Sequence, residues 1–107
     1  MSQRKHILAA SEASGVPAKS IRHYEKIGLV LPDRGSNGFR LFSDKDVQDL
    51  RLIRLARTLS IPFPQIRELL DLMSASASGD DDAREAALME LRAIQDALAE
   101  LSRILKA

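Results

Sequence analysis

The hydrophobic and polar positions at the start of the chain predict two short helices. Apolar residues at helical spacing predict a first helix that ends at Gly15, with a buried stripe made of Ile7, Leu8, Ala10 and Ala13. Pro17 suits the first turn of a second helix, which is predicted to run to about Ile27 and to stop at Gly28. Two short helices joined by a tight turn that contains glycine are typical of a helix-turn-helix motif.

A β-hairpin is predicted directly after the second helix. Residues 32–38 are rich in turn-forming types, and Asn37-Gly38 is a strong hairpin signal because both residue types accept positive φ. The return strand is predicted from the alternating run Phe39-Arg40-Leu41-Phe42. The pattern therefore predicts a small β-ribbon, or wing, attached to the helix-turn-helix.

A third helix is predicted after the wing. Ser43 is expected to cap it, with Asp46 three residues later as a weaker version of the capping box. The helix is expected to end near Ser60. Its buried side is predicted to comprise Val47, Leu50, either Ile53 or Arg54, and Leu55.

The remainder of the chain predicts two helices of different character. Pro62 and Pro64 open a fourth helix that reaches Met73, and the composition of SASASG, residues 74–79, predicts a flexible linker. A heptad pattern then covers about residues 81–106. Its two seam positions are occupied by Arg84, Leu91, Leu98 and Leu105 and by Ala87, Ile94 and Leu101, as in a coiled coil.

This heptad segment has no second copy within the chain. Five large apolar seam residues would each contribute ~1.5–3 kcal/mol if fully buried, whereas an isolated helix of this length is marginal in water. The simplest partner for this helix is therefore a second copy of the same chain. The alternative is that the helix folds back on its own domain as an ordinary amphipathic helix.

Composition narrows the function class. The 107 residues suffice for one domain or for a small domain with an appendage. No apolar run approaches the ~18 residues of a membrane span, and Ser11 and Glu12 interrupt the first apolar patch too early for a secretory signal. The absence of cysteine excludes disulfides, thiolate metal sites and a cysteine nucleophile. We expect a cytoplasmic protein.

Catalysis has little support in the sequence. A nucleophile needs a base and an orienting group, and neither His6 nor His23 has an acid–base setting that the sequence reveals. Their separation matches no helical spacing of metal ligands. We therefore expect no enzyme activity, no bound metal and no cofactor, and His23 is interpreted as a contact residue.

The distribution of charge points to a polyanion. Residues 1–60 hold 11 Lys and Arg against 6 Asp and Glu, whereas residues 61–107 hold 5 against 9. In the basic half, Lys19, Arg22 and Lys26 share one face of the second helix. Arg34 and Arg40 flank the hairpin tip, and Arg51, Arg54 and Arg57 follow the third helix at intervals of three. An α-helix fits the major groove of B-DNA, and arginines on flanking elements can contact phosphates.

At this point the sequence resembles a known family. "GVPAKSIRHYEKIGLVLPDRGSNGFRLFS", followed by "LRLIRLARTLSIPFPQIRELLDL", resembles the MerR family of bacterial transcription regulators, and it is most similar to the copper-responsive branch. The resemblance implies a mainly α protein: a winged helix-turn-helix DNA-binding domain (residues 1–73), a linker (74–80) and a coiled-coil dimerisation helix (81–107). It implies a homodimer on an inverted repeat within a promoter whose overlong spacer DNA is distorted, so that RNA polymerase is affected indirectly.

The same resemblance assigns roles to individual residues. Lys19, Arg22 and Tyr24 fall on recognition-helix contacts, Phe39 and Arg40 on wing contacts, and Arg34 and Arg57 on phosphate contacts. Together with His23 and Arg54, these residues form the predicted DNA-binding set. The predicted dimer interface comprises Ala87, Leu91, Ile94, Leu98, Leu101 and Leu105.

The chain departs from the family in one respect, and other functions stay open. Metal-sensing relatives carry cysteines in a loop after the dimer helix and in some cases at its start; here residue 80 is Asp and the sequence ends at Ala107. We expect an effector loop that is absent or removed. The first alternative is an architectural or excisionase-like winged helix that bends DNA. The second is a coiled-coil adaptor whose basic face binds an acidic protein.

Overall fold

The computed structural model describes residues 4–106 and is mainly helical. Its elements are α1 (Ile7–Ser14), α2 (Ala18–Lys26), β1 (Asp33–Arg34), β2 (Arg40–Leu41), α3 (Asp44–Thr58), α4 (Phe63–Ala77) and α5 (Asp81–Lys106). The chain divides into two compact units, one that ends at Ile66 and one that starts at Arg67. The N-terminal unit is a winged helix-turn-helix, and the C-terminal unit contains the long last helix, as predicted.

The turn between α1 and α2 is fixed by local hydrogen bonds. Gly15 has φ 76°, a left-handed conformation that glycine adopts without a steric penalty, and its N–H donates to the carbonyl of Ser11. The Ser11 hydroxyl donates to the carbonyl of Val16 at 2.6 Å, and the Val16 N–H donates to Ser14 Oγ at 3.2 Å. These bonds hold the turn that joins α1 to α2.

The core of the N-terminal unit joins its helices to the wing. The buried cluster consists of Ala10, Val16, Ile21, Val30, Phe42, Val47 and Leu50, with Ile7 and Tyr24 packed against its edge. Phe42 lies directly after β2 and is fully buried, so the wing is anchored in the same core as α2. Two backbone bonds between Lys5 and Phe42, at 2.7 and 2.8 Å, add the segment before α1 to the ribbon.

The wing is an antiparallel ribbon of two-residue strands. Asp33 pairs with Leu41 and Arg34 pairs with Arg40. The predicted hairpin is confirmed, and of Asn37 and Gly38 only the glycine is left-handed, with φ 82°. The Gly38 N–H donates to the carbonyl of Gly35 at 2.9 Å. The loop therefore has three residues between Gly35 and Phe39, and the left-handed glycine is its last.

Helix α3 begins and ends with recognisable caps. The hydroxyl of Ser43 accepts from the Asp46 N–H at 3.1 Å, and the Asp46 carboxylate accepts from the Ser43 N–H at 2.9 Å, which confirms the predicted capping box. At the other end Ser60 has φ 60°, and the Ile61 N–H donates to the carbonyl of Ala56 at 3.0 Å. This is the geometry of a Schellman-type stop, here with serine at the position that favours glycine.

Three expectations about the apolar residues need correction. Leu8 and Leu55, predicted to be buried, are 74% and 58% exposed. Each lies within the predicted helix but on its solvent side, because the apolar stripes of α1 and α3 are narrower than a periodicity count allows. Ala13, also placed on the buried stripe of α1, is exposed as well.

The segment between α4 and α5 also differs from its prediction. Residues 74–77, predicted to be a flexible linker, form the last turn of α4, and the turn to α5 comprises residues 78–80. Alanine is the best helix former, so a Ser/Ala run next to a helix can extend it. Gly79 has φ 94°, and the Asp80 carboxylate accepts from the Ala83 N–H at 3.0 Å, which caps α5. None of the described helices is long and apolar enough to cross a membrane.

Candidate nucleic-acid interface

The exposed side of α2 is basic. Lys19, Arg22 and Lys26, the α2 basic face, are all exposed, whereas Ile21 on the opposite side is fully buried. Among the described residues, no ion pair involves these three side chains. The cationic groups of this face are therefore in solvent and can contact a polyanion without breaking an ion pair.

His23 and Tyr24 lie at the edge of that face and contact an aromatic residue of α4. The ring of Phe63 is 6.2 Å from the His23 ring and 6.1 Å from the Tyr24 ring, both in edge-to-face arrangements. His23 is exposed, but Tyr24 is only partly so because it packs on the core. The aromatic contacts hold the C-terminal half of α2 against the first turn of α4.

The wing carries its two arginines next to α2. Arg40 Nε donates to Glu25 Oε1 at 2.5 Å, and Arg34 Nη2 lies 3.7 Å from Glu25 Oε2. Arg34 Nη1 also donates to the carbonyl of Gly38 at 3.0 Å, across the base of the loop. The structure therefore brings the two predicted wing cations together with one carboxylate of α2.

The tip of the wing is apolar on one side. Phe39 is 63% exposed, and its ring meets the ring of His6 edge to face at 6.2 Å between centroids. The pair lines a shallow cavity of about 380 Å³ with Ile7, Leu8, Asn37 and Arg40. Phenylalanine has no hydroxyl to donate to a phosphate, so Phe39 can offer only van der Waals contact to a sugar or a base.

Two arginines of α3 are held close to the helix-turn-helix. A Cβ atom built on Gly15 would lie 3.1 Å from Arg54 Nε, so this guanidinium packs over the turn between α1 and α2. Arg57 Nη1 donates to the carbonyl of Ile61 at 3.0 Å. Both arginines line a second cavity of about 300 Å³, together with Val16, Pro17, Ser20, Tyr24 and Thr58. This cavity combines two cations with three hydroxyl groups, which suits an anionic oxygen.

The heptad seam of α5 is largely uncovered in the single chain. Four leucines of the seam are 43–77% exposed, and Ile94 is half-buried; the leucines are Leu91, Leu98, Leu101 and Leu105. Ala87 differs from the other predicted interface residues, because it is only 3% exposed and is thus already covered within the chain. The dimer interface, with Ala87 in it, stays a prediction. Leu88, which the heptad count leaves out, is 46% exposed.

Two residues with evident roles in the site were missed by the sequence analysis. Glu25 pairs with wing arginines nine and fifteen residues away, and Phe63 contacts α2 from α4. One signal for Glu25 exists in the sequence: it is the only acidic residue of α2, on a helix that is otherwise basic or neutral. No periodicity or spacing signals the position of Phe63.

Comparison with known proteins identifies the family. Residues 6–72 match the MerR HTH family regulatory protein. The chain belongs to the MerR family. The match starts just before α1 and ends within α4, so it covers all the elements that carry the predicted DNA-binding set.

Curated relatives extend the match into α5. The chain is 39% identical over 95 residues to the HTH-type transcriptional regulator HmrR of Rhizobium leguminosarum bv. viciae, which covers 89% of this chain and 74% of that protein. It is 31% identical over 100 residues to the HTH-type transcriptional regulator CueR of Yersinia pestis, with 92% and 72% covered. Another relative, 39% identical, is the heavy metal-dependent transcription regulator 2 of Rhizobium meliloti.

Solved structures share the fold. The crystal structure of HTH-type transcriptional regulator SkgA from Caulobacter crescentus has a TM-score of 0.67 at 29% identity, with 99% of this chain and 73% of that one covered. HiNmlR, a MerR family regulator lacking the sensor domain and crystallised with promoter DNA, has a TM-score of 0.71 at 24% identity, with 97% and 80% covered. The winged helix-turn-helix with its long last helix is thus the fold of this MerR-family chain.

Proposed function

We propose that this MerR-family regulator binds an inverted-repeat site in a promoter as a homodimer and distorts the spacer DNA between the promoter elements. Each N-terminal unit contacts one half-site. The α2 basic face enters the major groove, and the wing and the α3 arginines contact phosphates on either side. RNA polymerase is affected indirectly, through the shape of the promoter.

One observation carries the DNA-binding part of the proposal. The α2 basic face is unpaired and exposed, while the opposite side of the same helix is fully buried in the core. A helix that packs on the core with one side and exposes unpaired basic side chains on the other is suited to the major groove. There arginine and lysine recognise guanine. The positions of Arg34, Arg40, Arg54 and Arg57 around α2 supply cations on three flanking elements.

The homodimer is supported by the exposed seam of α5. Four leucines on a single helix leave an apolar strip in solvent, and burial of each would contribute ~1.5–3 kcal/mol. The repeat of seven residues matches the period of a coiled coil, so a second α5 is the complementary surface. Two half-sites bound jointly then gain affinity without new contacts.

We propose that the spacer is distorted when the two DNA-binding units of one dimer contact both half-sites at once. Duplex DNA is stiff over the length of a protein-binding site, so bending it by tens of degrees costs of order 1–6 kcal/mol. The phosphate contacts must offset this cost. The arginines of the wing and of α3 are the groups available for this purpose. HiNmlR, which shares the fold, is a MerR family regulator whose structure was solved bound to promoter DNA.

The deciding experiment starts with selection of a binding sequence from a random duplex library by the purified protein. The selected duplex is then used for footprinting, for circular-permutation bending assays and for transcription with RNA polymerase on a promoter of altered spacer length. An inverted repeat, a bend and spacer-dependent transcription support the proposal. Binding that selects no sequence contradicts it.

The same experiment separates the main alternative. An architectural or excisionase-like protein would bend its duplex with no effect of spacer length on transcription. Footprints that spread along the DNA, and not two symmetric half-sites, would favour that function.

A further inference from the structure

Glu25 is an acidic residue in the middle of a surface that otherwise attracts anions. It is the only acid of α2, and its side chain is 18% exposed. A carboxylate at this place repels phosphates, so its presence weakens binding to any polyanion. Its two oxygens are occupied in a specific way: Oε1 accepts from Arg40 Nε at 2.5 Å, and Oε2 lies 3.7 Å from Arg34 Nη2.

The two arginines are also each other's neighbours. Arg34 and Arg40 are register partners across the ribbon, and like charges directly opposite each other destabilise a strand pair. The ribbon has two residues per strand, which is too short for independent stability. The Glu25 carboxylate lies beside this pair of cations and contacts the arginine side chain of each strand.

We propose that Glu25 is a positioning residue: it offsets the repulsion between Arg34 and Arg40 and thereby fixes the wing at one angle to the recognition helix. The guanidinium group has five N–H donors, so a contact with one carboxylate leaves donors for phosphates. Glu25 therefore increases specificity, because it fixes the wing relative to α2. Its negative charge lowers the affinity for DNA of any sequence. This inference rests on the proposed DNA-binding function.

The proposal predicts opposite effects on two kinds of DNA. In Glu25→Ala the repulsive carboxylate is lost, so binding to a scrambled duplex of equal length and composition stays equal or becomes tighter. Binding to the duplex selected by the wild-type protein weakens, because the wing no longer holds the angle that the selected site requires. The ratio of the two affinities should fall at least tenfold, which is about 1.4 kcal/mol.

Three further variants or readouts make the test specific. Glu12→Ala removes the same charge from the exposed side of α1 and should leave the ratio unchanged. Glu25→Gln keeps the shape and an acceptor for Arg40 but no charge, so it should lower the ratio by a smaller factor than Glu25→Ala. Amide hydrogen exchange at Gly35, whose N–H donates to the carbonyl of Phe39 at 2.9 Å, should become faster in Glu25→Ala because the ribbon is released.

The outcomes separate this inference from the function on which it rests. If the wild-type protein selects no sequence, the proposed function fails and the ratio has no meaning. If it selects a site and Glu25→Ala lowers affinity for both duplexes equally, with unchanged exchange at Gly35, the positioning role is wrong and Glu25 supports only the fold. Should Glu25→Ala not fold, Glu25→Gln decides: a ratio and an exchange rate equal to wild type overturn the proposal.

Discussion

The guanidinium of Arg57 lies over the ring of Phe63, with its Cζ 4.5 Å from the ring centroid. Such a cation–π contact contributes ~0.5–1 kcal/mol at an exposed site. The same ring touches Tyr24 and His23 edge to face. Arg57, at the end of α3, is therefore connected to α2 through the ring of Phe63, and its position depends on both.

Arg22 and Arg57 should differ in what their loss does to DNA binding. Arg22→Ala removes a side chain of the α2 basic face and should weaken binding to the selected duplex by about 1–3 kcal/mol, with relaxed preference at one base pair. Arg57→Ala should weaken binding to all duplexes alike and lower the salt slope by about 1. Fluorescence anisotropy titrations at several salt concentrations measure both quantities. Unchanged affinity of the Arg22 variant for the selected duplex would refute the assignment of the recognition helix.

The dimer should depend on the exposed leucines of α5. The double substitution Leu98→Asp and Leu101→Asp places two charges on the seam, which is buried from water when the dimer forms. Burial of these charges costs several kcal/mol. Sedimentation velocity should then show a monomer, and affinity for the inverted repeat should collapse. The matched control is Ala93→Asp with Ala99→Asp, which adds the same charge to the same helix at positions outside the seam. A wild-type chain that stays monomeric at tens of micromolar would disprove the homodimer.

Ser60→Gly should stabilise the protein. Ser60 is the only described non-glycine residue with positive φ, at 60°, and a left-handed conformation costs a residue with a Cβ atom about 1–2 kcal/mol. Part of this gain is cancelled by the greater freedom of glycine in the unfolded chain, so we expect a net increase of about 0.5–1 kcal/mol in the free energy of unfolding. Urea denaturation measures it. Ser36→Gly, at a residue without positive φ, should show no gain.

Asp49 should make stability fall as pH rises from 3.8 through the pKa of its carboxyl in the folded protein. Burial raises the pKa of its carboxyl above the ordinary 3.8, although the hydrogen bond from Lys45, at 2.8 Å, acts in the opposite direction. Because the folded state binds this proton more tightly than the unfolded state, stability is lost as pH rises from 3.8 through the folded pKa. Asp49→Asn removes this contribution, so it should gain stability relative to wild type as pH rises through that window. A difference in unfolding free energy that stays constant with pH would contradict the effect.

The chain of 107 residues should not bind Cu(I) tightly, although relatives are named as heavy metal-dependent regulators. Soft ions prefer thiolate ligands, and the sequence contains no cysteine. Its soft donors are the thioethers of Met1, Met73 and Met89. Anaerobic titration of Cu(I) against a competing chelator, with and without the selected duplex, should show no stoichiometric binding. Tight binding with a change in DNA bending would show that thioether or imidazole ligands suffice.

Signals within a few residues of one another were enough to predict the elements. The capping box of Ser43 and Asp46, the stop at Gly15 and the period of α5 each depend on neighbours along the chain, where propensity and hydrogen-bond geometry decide. The basic positions of α2 follow from the same periodicity. These signals also carried the family resemblance, because the motif residues lie in the right order within the elements.

The predictions that failed concern burial and pairing between elements. Leu8 and Leu55 have the apolar character of core residues but face solvent. The contact between Glu25 and Arg40 joins residues fifteen apart, and the contact between Phe63 and Tyr24 joins α4 to α2. Periodicity specifies which residues share a face of a helix. Which other element covers that face, and which charge meets which, is decided only when the helices pack, because those contacts depend on distances between segments that the local sequence does not encode.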